Sequence, residues 1–162
     1  MNLYIMRHGI AAEPDETTVD SQRALTEKGE KKLEKIVIKL QKLNIRFDLI
    51  LTSPYIRAYQ TAILAAKYLA DDGKHVILCN DLVPFGSFEN LVNGLNSYEK
   101  KDNILIVGHE PYLSQLIGLL AAGDITTGLK LKKGGICHLS ISQLIAGKCA
   151  IILSLLTPKQ FI

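Results

Sequence analysis

The feature that most limits how this chain can fold is an alternation. Short apolar runs, each too short for a helix, are separated by longer stretches with helical period. The runs are NLYIMR (2–7), FDLILTS (47–53), HVILC (75–79) and NILIVGH (103–109). Strands covered on both faces read this way, because they have no side that faces water. Between them, Thr26 caps a helix that extends to about Asn44. Its apolar face is Leu33, Ile36, Val37, Leu40 and Leu43, and its other face is lysines and glutamates, a solvated surface. Ser53 is placed to cap a second helix with Pro54 at its first position. Ser87 opens a third, with Phe88, Leu91, Val92, Leu95 and Tyr98 at helical spacing, and Pro111 starts a fourth that runs to about Ala122. GICHLSIS (135–142) and CAIILSLL (149–156) flank a turn-like AGK and form a terminal hairpin. The expected fold is α/β, a mainly parallel sheet covered by helices on both faces.

A chain of 162 residues is most simply one domain, here 1–162, and it buries roughly 70% of its unfolded surface without disulfides or metals to staple it. Its charge is a mild +3, from 19 basic and 16 acidic residues, and it has no tryptophan and no arginine cluster interleaved with aromatics. Nucleic acid is therefore not the expected partner. Cys79, Cys137 and Cys149 form no metal spacing and no CxxC pair, as reduced core thiols of a cytoplasmic protein do. No signal peptide is expected, since the first residues lack a basic segment and a small-residue cleavage site. No apolar run reaches the ~18 residues that a membrane span requires.

In doubly covered parallel sheets, ligands sit beyond the carboxyl ends of the strands. That rule gathers RHG (7–9), TSP (52–54) and GHEP (108–111) along one edge, and with them Arg7, His8, Arg57 and His109. Two guanidinium charges beside two imidazoles would cost several kcal/mol to desolvate as mere packing. Around a phosphoryl group they are well suited, because arginine forks match phosphate oxygens and stay charged at any relevant pH. Helix N-termini near Pro54 and Pro111 add positive dipole ends. Neutral imidazole is a competent nucleophile toward phosphorus, and nearby positive charge disfavours imidazolium, so the arginines are expected to keep His8 neutral. The polar stretch 10–24 reads as a long loop of the functional kind, from which Arg23 can reach substrate.

These motifs also resemble a known family. MRHG near the start, then RALTEKG, ILTSPYIRAYQTA and IVGHEP, are similar as an ordered set to the histidine phosphatase superfamily, also called phosphoglycerate mutase-like. The short chain resembles its SixA-type branch of phosphohistidine phosphatases. The resemblance implies a three-layer α/β/α fold with a mixed sheet. It also implies His8 as the phosphorylated nucleophile and Arg7, Arg57 and His109 as the phosphate pocket, with no metal or other cofactor. One departure stands out. Larger members carry a proton-donating glutamate in a Leu-x-Glu segment after the third strand, where this chain reads Leu82-Val83-Pro84. Glu89 and Asp20 are the other carboxylates to consider, or no dedicated acid is used.

A missing acid has a chemical reading. An alkoxide needs a proton to leave, whereas imidazole, with an unperturbed pKa near ~6.5, leaves easily once protonated. The chain has no long insertion to serve as a lid, so an open site is expected. The resulting expectation is a metal-independent phosphatase that acts on phosphohistidine in a phosphotransfer-type protein and releases inorganic phosphate. The alternatives are a phosphomonoesterase of small metabolites and a non-catalytic binder of phosphorylated partners. His75 reads as an exposed strand residue and His138 as structural or solvated, and the spacing of the four histidines fits no metal site.

Overall fold

In a computed structural model, residues 1–70, 76–98 and 100–161 are described. His75 lies outside them. The strands are β1 (Asn2–Arg7), β2 (Leu49–Thr52), β3 (Val76–Leu78), β4 (Asn103–Gly108), β5 (Ile136–Ile141) and β6 (Ala150–Leu156). The helices are α1 (Glu27–Lys42), α2 (Ile56–Leu69), α3 (Phe88–Asn96) and α4 (Tyr112–Ala122). The strands form one sheet in the order β3-β2-β4-β1-β5-β6. The three pairings among β1 to β4 are parallel, while β5 runs antiparallel to both β1 and β6. The mixed, mainly parallel sheet matches expectation.

Strand alternation divides the core into two layers. Leu3, Ile5, Leu49, Leu51, Ile104 and Ile106 point to one face and pack under Leu91, Leu95, Leu113, Leu116 and Leu120 of α3 and α4. Tyr4, Met6, Ile50, Leu105 and Val107 point to the other, where Leu33, Ile36, Leu40, Ala62 and Leu69 of α1 and α2 cover them. A strand with a core on each side must be apolar at every position, which is why these segments read as unbroken runs. Each buried leucine or isoleucine contributes about 1.5–3 kcal/mol by leaving water.

Local signals set the helix ends, with some revisions. Thr26 Oγ1 accepts from Gly29 N at 3.0 Å and caps α1, which stops at Lys42 rather than Asn44. Ser87 caps α3 through Asn90 N. Ser53, however, is not the cap of α2, and Pro54 is not its first residue. The cap is Tyr55, the helix begins at Ile56, and the Ser53 hydroxyl accepts from Tyr55 N at 3.2 Å while pairing with a histidine described below. Pro111 likewise precedes α4 as its cap. The connection between β5 and β6 spans 142–149, longer than a three-residue turn.

Candidate active site

Sheet register builds the site. Arg7 lies opposite Gly108 across β1 and β4, and Thr52 lies opposite Val107 across β2 and β4. The next residues of the three strands, His8, Ser53 and His109, therefore leave the sheet at one level. The ladder carries on for one more step on each side, with His8 N donating to Gly108 O (3.1 Å) and Ser53 N to Val107 O (3.0 Å). Arg57 enters from the first turn of α2. All three reactive side chains are nearly inaccessible, with exposures of 5% for His8, 4% for Arg57 and 2% for His109.

The protons on His8 follow from its neighbours. Nδ1 lies 2.7 Å from the carbonyl of Gly9, which can only accept, so Nδ1 carries the hydrogen. Nε2 accepts from Arg57 Nε–H at 3.2 Å and keeps its lone pair on the pocket side. Gly9 thus orients the imidazole through its carbonyl, while its N–H donates to Thr61 Oγ1 (3.1 Å), which in turn donates to Arg57 O (2.7 Å). This chain of bonds ties the segment after β1 to α2. His109 stands beside His8, with ring centroids 5.1 Å apart. Its Nε2 is 2.8 Å from Ser53 Oγ. When Ser53 donates, the ring hydrogen sits on His109 Nδ1.

Both imidazoles are held neutral. Burial pushes the pKa of His8 down to about 3, and the charges of Arg57, Arg7 and Lys133 push the same way, against the Gly9 hydrogen bond. His109 is also pushed down to about 3, first by burial and then by His8 and Arg57. Neutrality at His8 was expected from the arginines. Burial is the larger cause, and the arginines reinforce it.

Three buried polar atoms among the described residues lack a hydrogen-bond partner, and all belong to this neighbourhood: Arg7 Nε, His109 Nδ1 and Glu110 Oε1. Leaving such a group unpaired costs about 1–3 kcal/mol. Arg7 Nε–H and His109 Nδ1–H are donors suited to an oxyanion. Arg7 is anchored by Nη1–H donating to Leu131 O at 3.0 Å. Its own pKa is lowered chiefly by burial, with Glu110 opposing. The other carboxylate oxygen of Glu110 accepts from Ser114 Oγ.

Asp20 sits in a short 3-10 turn (Asp20–Gln22) of the long loop. Arg57 donates to its carbonyl (2.6 Å) and to Oδ2 (3.0 Å), and Arg23 donates twice to Oδ1. Burial alone would raise the Asp20 carboxyl, but the hydrogen bonds from Arg23 and Arg57 outweigh it and hold its pKa below the usual value. Arg23 also donates from Nη1 to Ala12 O (2.7 Å), so its bonds among the described residues go to this loop, and it reaches Arg57 through Asp20. The loop neck is closed by Ala12 N donating to Ala24 O (2.9 Å). The site is therefore more covered than the expected open cleft, because two arginines draw this loop inward. Glu89 is exposed in the first turn of α3. Sequence reasoning did not single out Ser53 as the partner of His109, nor Thr61, Glu110 or the Leu131 carbonyl. Thr61 and Glu110 lie inside the quoted motifs, so a signal for them existed.

Buried, neutral histidines among arginines at the carboxyl ends of parallel strands suit the binding of a phosphoryl group. Residues 3–93 match the family model of the histidine phosphatase superfamily (branch 1), and the chain belongs to that superfamily. An uncharacterized protein of the cyanobacterium Picosynechococcus is 40% identical over 142 residues, 86% of this chain and 84% of its own length. The fold is similar to that of the protein histidine phosphatase SixA solved with tungstate (TM-score 0.87, 23% identity, all of both chains). It is also similar to a SixA of Agrobacterium tumefaciens described as a phosphohistidine phosphatase (0.78, 21%, 97% of both chains). The α-ribazole phosphatase of Shigella flexneri has a similar fold (0.78, 21%, 98% of this chain and 97% of the other).

Proposed function

We propose that this phosphatase removes phosphate from phosphohistidine on a protein, through a covalent intermediate on His8 and without a metal. The substrate ring takes up a proton from solvent at its free nitrogen, His8 Nε2 attacks phosphorus, and the bond from phosphorus to the substrate's other ring nitrogen breaks, so that this nitrogen keeps the electron pair and neutral imidazole leaves. Water then attacks the phosphorylated His8, releasing inorganic phosphate and restoring the ring. Arg7, Arg57 and His109 bind the phosphoryl oxygens and stabilise the charge that builds on them. Arg57 releases its long contact with Nε2 as the phosphoryl group enters, and Arg23, bonded to Asp20 and Ala12, stiffens the loop beside it.

The observation that carries the substrate class is the state of the two candidate acids, Asp20 and Glu89. Asp20 is bound by two arginines, which favours its anion and disfavours proton donation. Glu89 is exposed, and the resemblance puts Pro84 at the position where larger members keep their acid. Such a site suits a leaving group that takes up a proton readily, and imidazole is one. The protein is proposed to work in the cytoplasm, on a phosphotransfer-type partner. The second reading, a phosphomonoesterase of small metabolites, draws on the fold shared with the α-ribazole phosphatase of Shigella flexneri. The test compares kcat/KM on a phosphohistidine-bearing protein with that on a panel of sugar, nucleotide and amino-acid phosphates. A preference of at least a hundredfold for the protein is expected. A small ester turned over as fast would overturn the assignment.

A further inference from the structure

A second surface adjoins this site. A groove of about 660 Å³ is lined by Lys32, Lys130, Lys132, Lys133 and Lys159, and Arg7 forms part of its wall. No carboxylate lines it. It thus holds six of the chain's 19 lysines and arginines and none of its 16 acids, in a molecule whose net charge is only +3. Among the described residues, none of the five lysines forms an ion pair, although Lys31, next to Lys32 in α1, pairs with Glu27. Five uncompensated ammonium groups repel one another, so the groove carries a standing electrostatic cost that an anionic partner would relieve.

The backbone fixes this groove to the nucleophile. Lys130, Lys132 and Lys133 belong to the stretch that leads into β5. Gly134, in the left-handed region at φ +77°, turns its N–H onto the carbonyls of both Arg7 (3.0 Å) and His8 (3.1 Å). Arg7 N donates to Gly135 O (3.1 Å), and the Arg7 guanidinium donates to Leu131 O (3.0 Å). A turn bonded four times to the Arg7-His8 dipeptide keeps its lysines at a set distance from the reacting atom. The field of Lys133 reaches the His8 ring.

We infer that this lysine groove docks an aspartate- and glutamate-rich face of the protein that presents the phosphohistidine. The identity of the partner rests on the reading given above; the acidic character of its surface rests on the groove alone. Lysine heads on flexible stems suit such a face better than a small ligand. They are hydrated point charges without the fixed fork that a second phosphate subsite would use, and three of them (Lys130, Lys132 and Lys159) are exposed to solvent. Charge of this kind steers encounter and weakens steeply with salt.

The test uses two peptides of equal length that carry a phosphonate analogue of phosphohistidine, which cannot be hydrolysed. One is flanked by aspartate and glutamate, the other by serine and glutamine. Affinity is read by fluorescence anisotropy on the intact protein, on Lys130→Gln/Lys132→Gln/Lys159→Gln, and on the corresponding triple Glu variant. Thermal midpoints and turnover of an aryl phosphate, expected within twofold of wild type, show that fold and catalytic site persist. The acidic peptide is expected to bind wild type at least about tenfold more tightly at 50 mM salt. The advantage should vanish in both triple variants and shrink at 0.5 M salt. Equal affinity for the two peptides, or an advantage that survives the Gln variant, overturns the docking surface. So does a single-stranded oligonucleotide of equal charge binding as tightly as the acidic peptide, since the groove would then take any polyanion. Because binding of the analogue needs no turnover, failure on genuine phosphohistidine would count against the catalytic reading and leave this result standing.

Discussion

If His8 and His109 are neutral when folded, acid should destabilise the protein through them before any carboxylate titrates. An unfolded histidine takes up its proton near pH ~6.5, whereas both folded rings resist until about pH 3. Between those values the unfolded state binds more protons, so stability is full above pH 6.5 and falls as pH falls toward 3. From pH 7 to pH 5 the loss is about 2 kcal/mol per histidine, and any folded value below about 4 gives the same figure. The repulsion between the two rings does not enter, because neither is protonated in the folded state over this range. Together they account for about 4 kcal/mol, a large part of the ~5–15 kcal/mol that a domain has. The lowered pKa values of Asp15, Asp20 and Asp124 act only below the carboxylate range and so leave this window clear. His138, which stacks on Tyr4 and is lowered by burial, adds a smaller change of the same sign. The assay is urea unfolding at pH 5, 6 and 7 for wild type, His8→Asn and His109→Asn. Each variant should lose about 2 kcal/mol less than wild type over the range. Variants with the wild-type slope would show that the rings titrate alike folded and unfolded, and the account of a buried neutral nucleophile would be wrong.

Further outcomes follow from the same geometry. His8→Ala should abolish turnover while the protein stays folded and still binds tungstate, checked by paired activity and thermal-shift measurements. Arg57→Ala should raise KM and weaken competition by vanadate, yet leave the acid limb of kcat/KM in place, because burial is the first cause of His8 neutrality. Asp20→Asn and Glu89→Gln should each slow phosphohistidine hydrolysis by less than about tenfold, against the ~10²–10⁴-fold that a general acid contributes. A thousandfold loss in either would show a dedicated acid. Activity should survive EDTA, since arginines neutralise the phosphoryl charge; a loss restored by a divalent ion would contradict this.

The parts legible in the sequence are those fixed by short-range rules. Unbroken apolar runs mark β1, β2 and β4, and the rule that ligands sit beyond strand ends brings His8 and His109 together from the sequence alone. Thr26 and Ser87 cap as their residue types suggest. Ser53 did not, because its hydroxyl has a stronger engagement across the site with His109, 56 residues away, and capping rules know nothing of tertiary partners. The anchoring of Arg7 by Leu131 O spans 124 residues and was out of reach for the same reason. Asp20 was considered as a proton donor. Only the folded loop shows two arginines converging on it, which turns a candidate acid into a tether.

That tether bears on how a covered site can still admit substrate. Arg57 makes three contacts here, to His8 Nε2, to the Asp20 carbonyl and to the Asp20 carboxylate. Asp20 offers the guanidinium carboxylate oxygens much as a phosphoryl group would, so the incoming anion competes for a fork that is already aligned. Asp20 is exposed while Arg57 is buried, so solvent screens this ion pair from the Asp20 side only. A dianionic phosphoryl group also satisfies Arg7 Nε and His109 Nδ1, two buried donors that Asp20 leaves unpaired. On the proposed reading, a phosphoryl anion that takes the Arg57 fork from Asp20 releases the bonds that draw this loop toward α2.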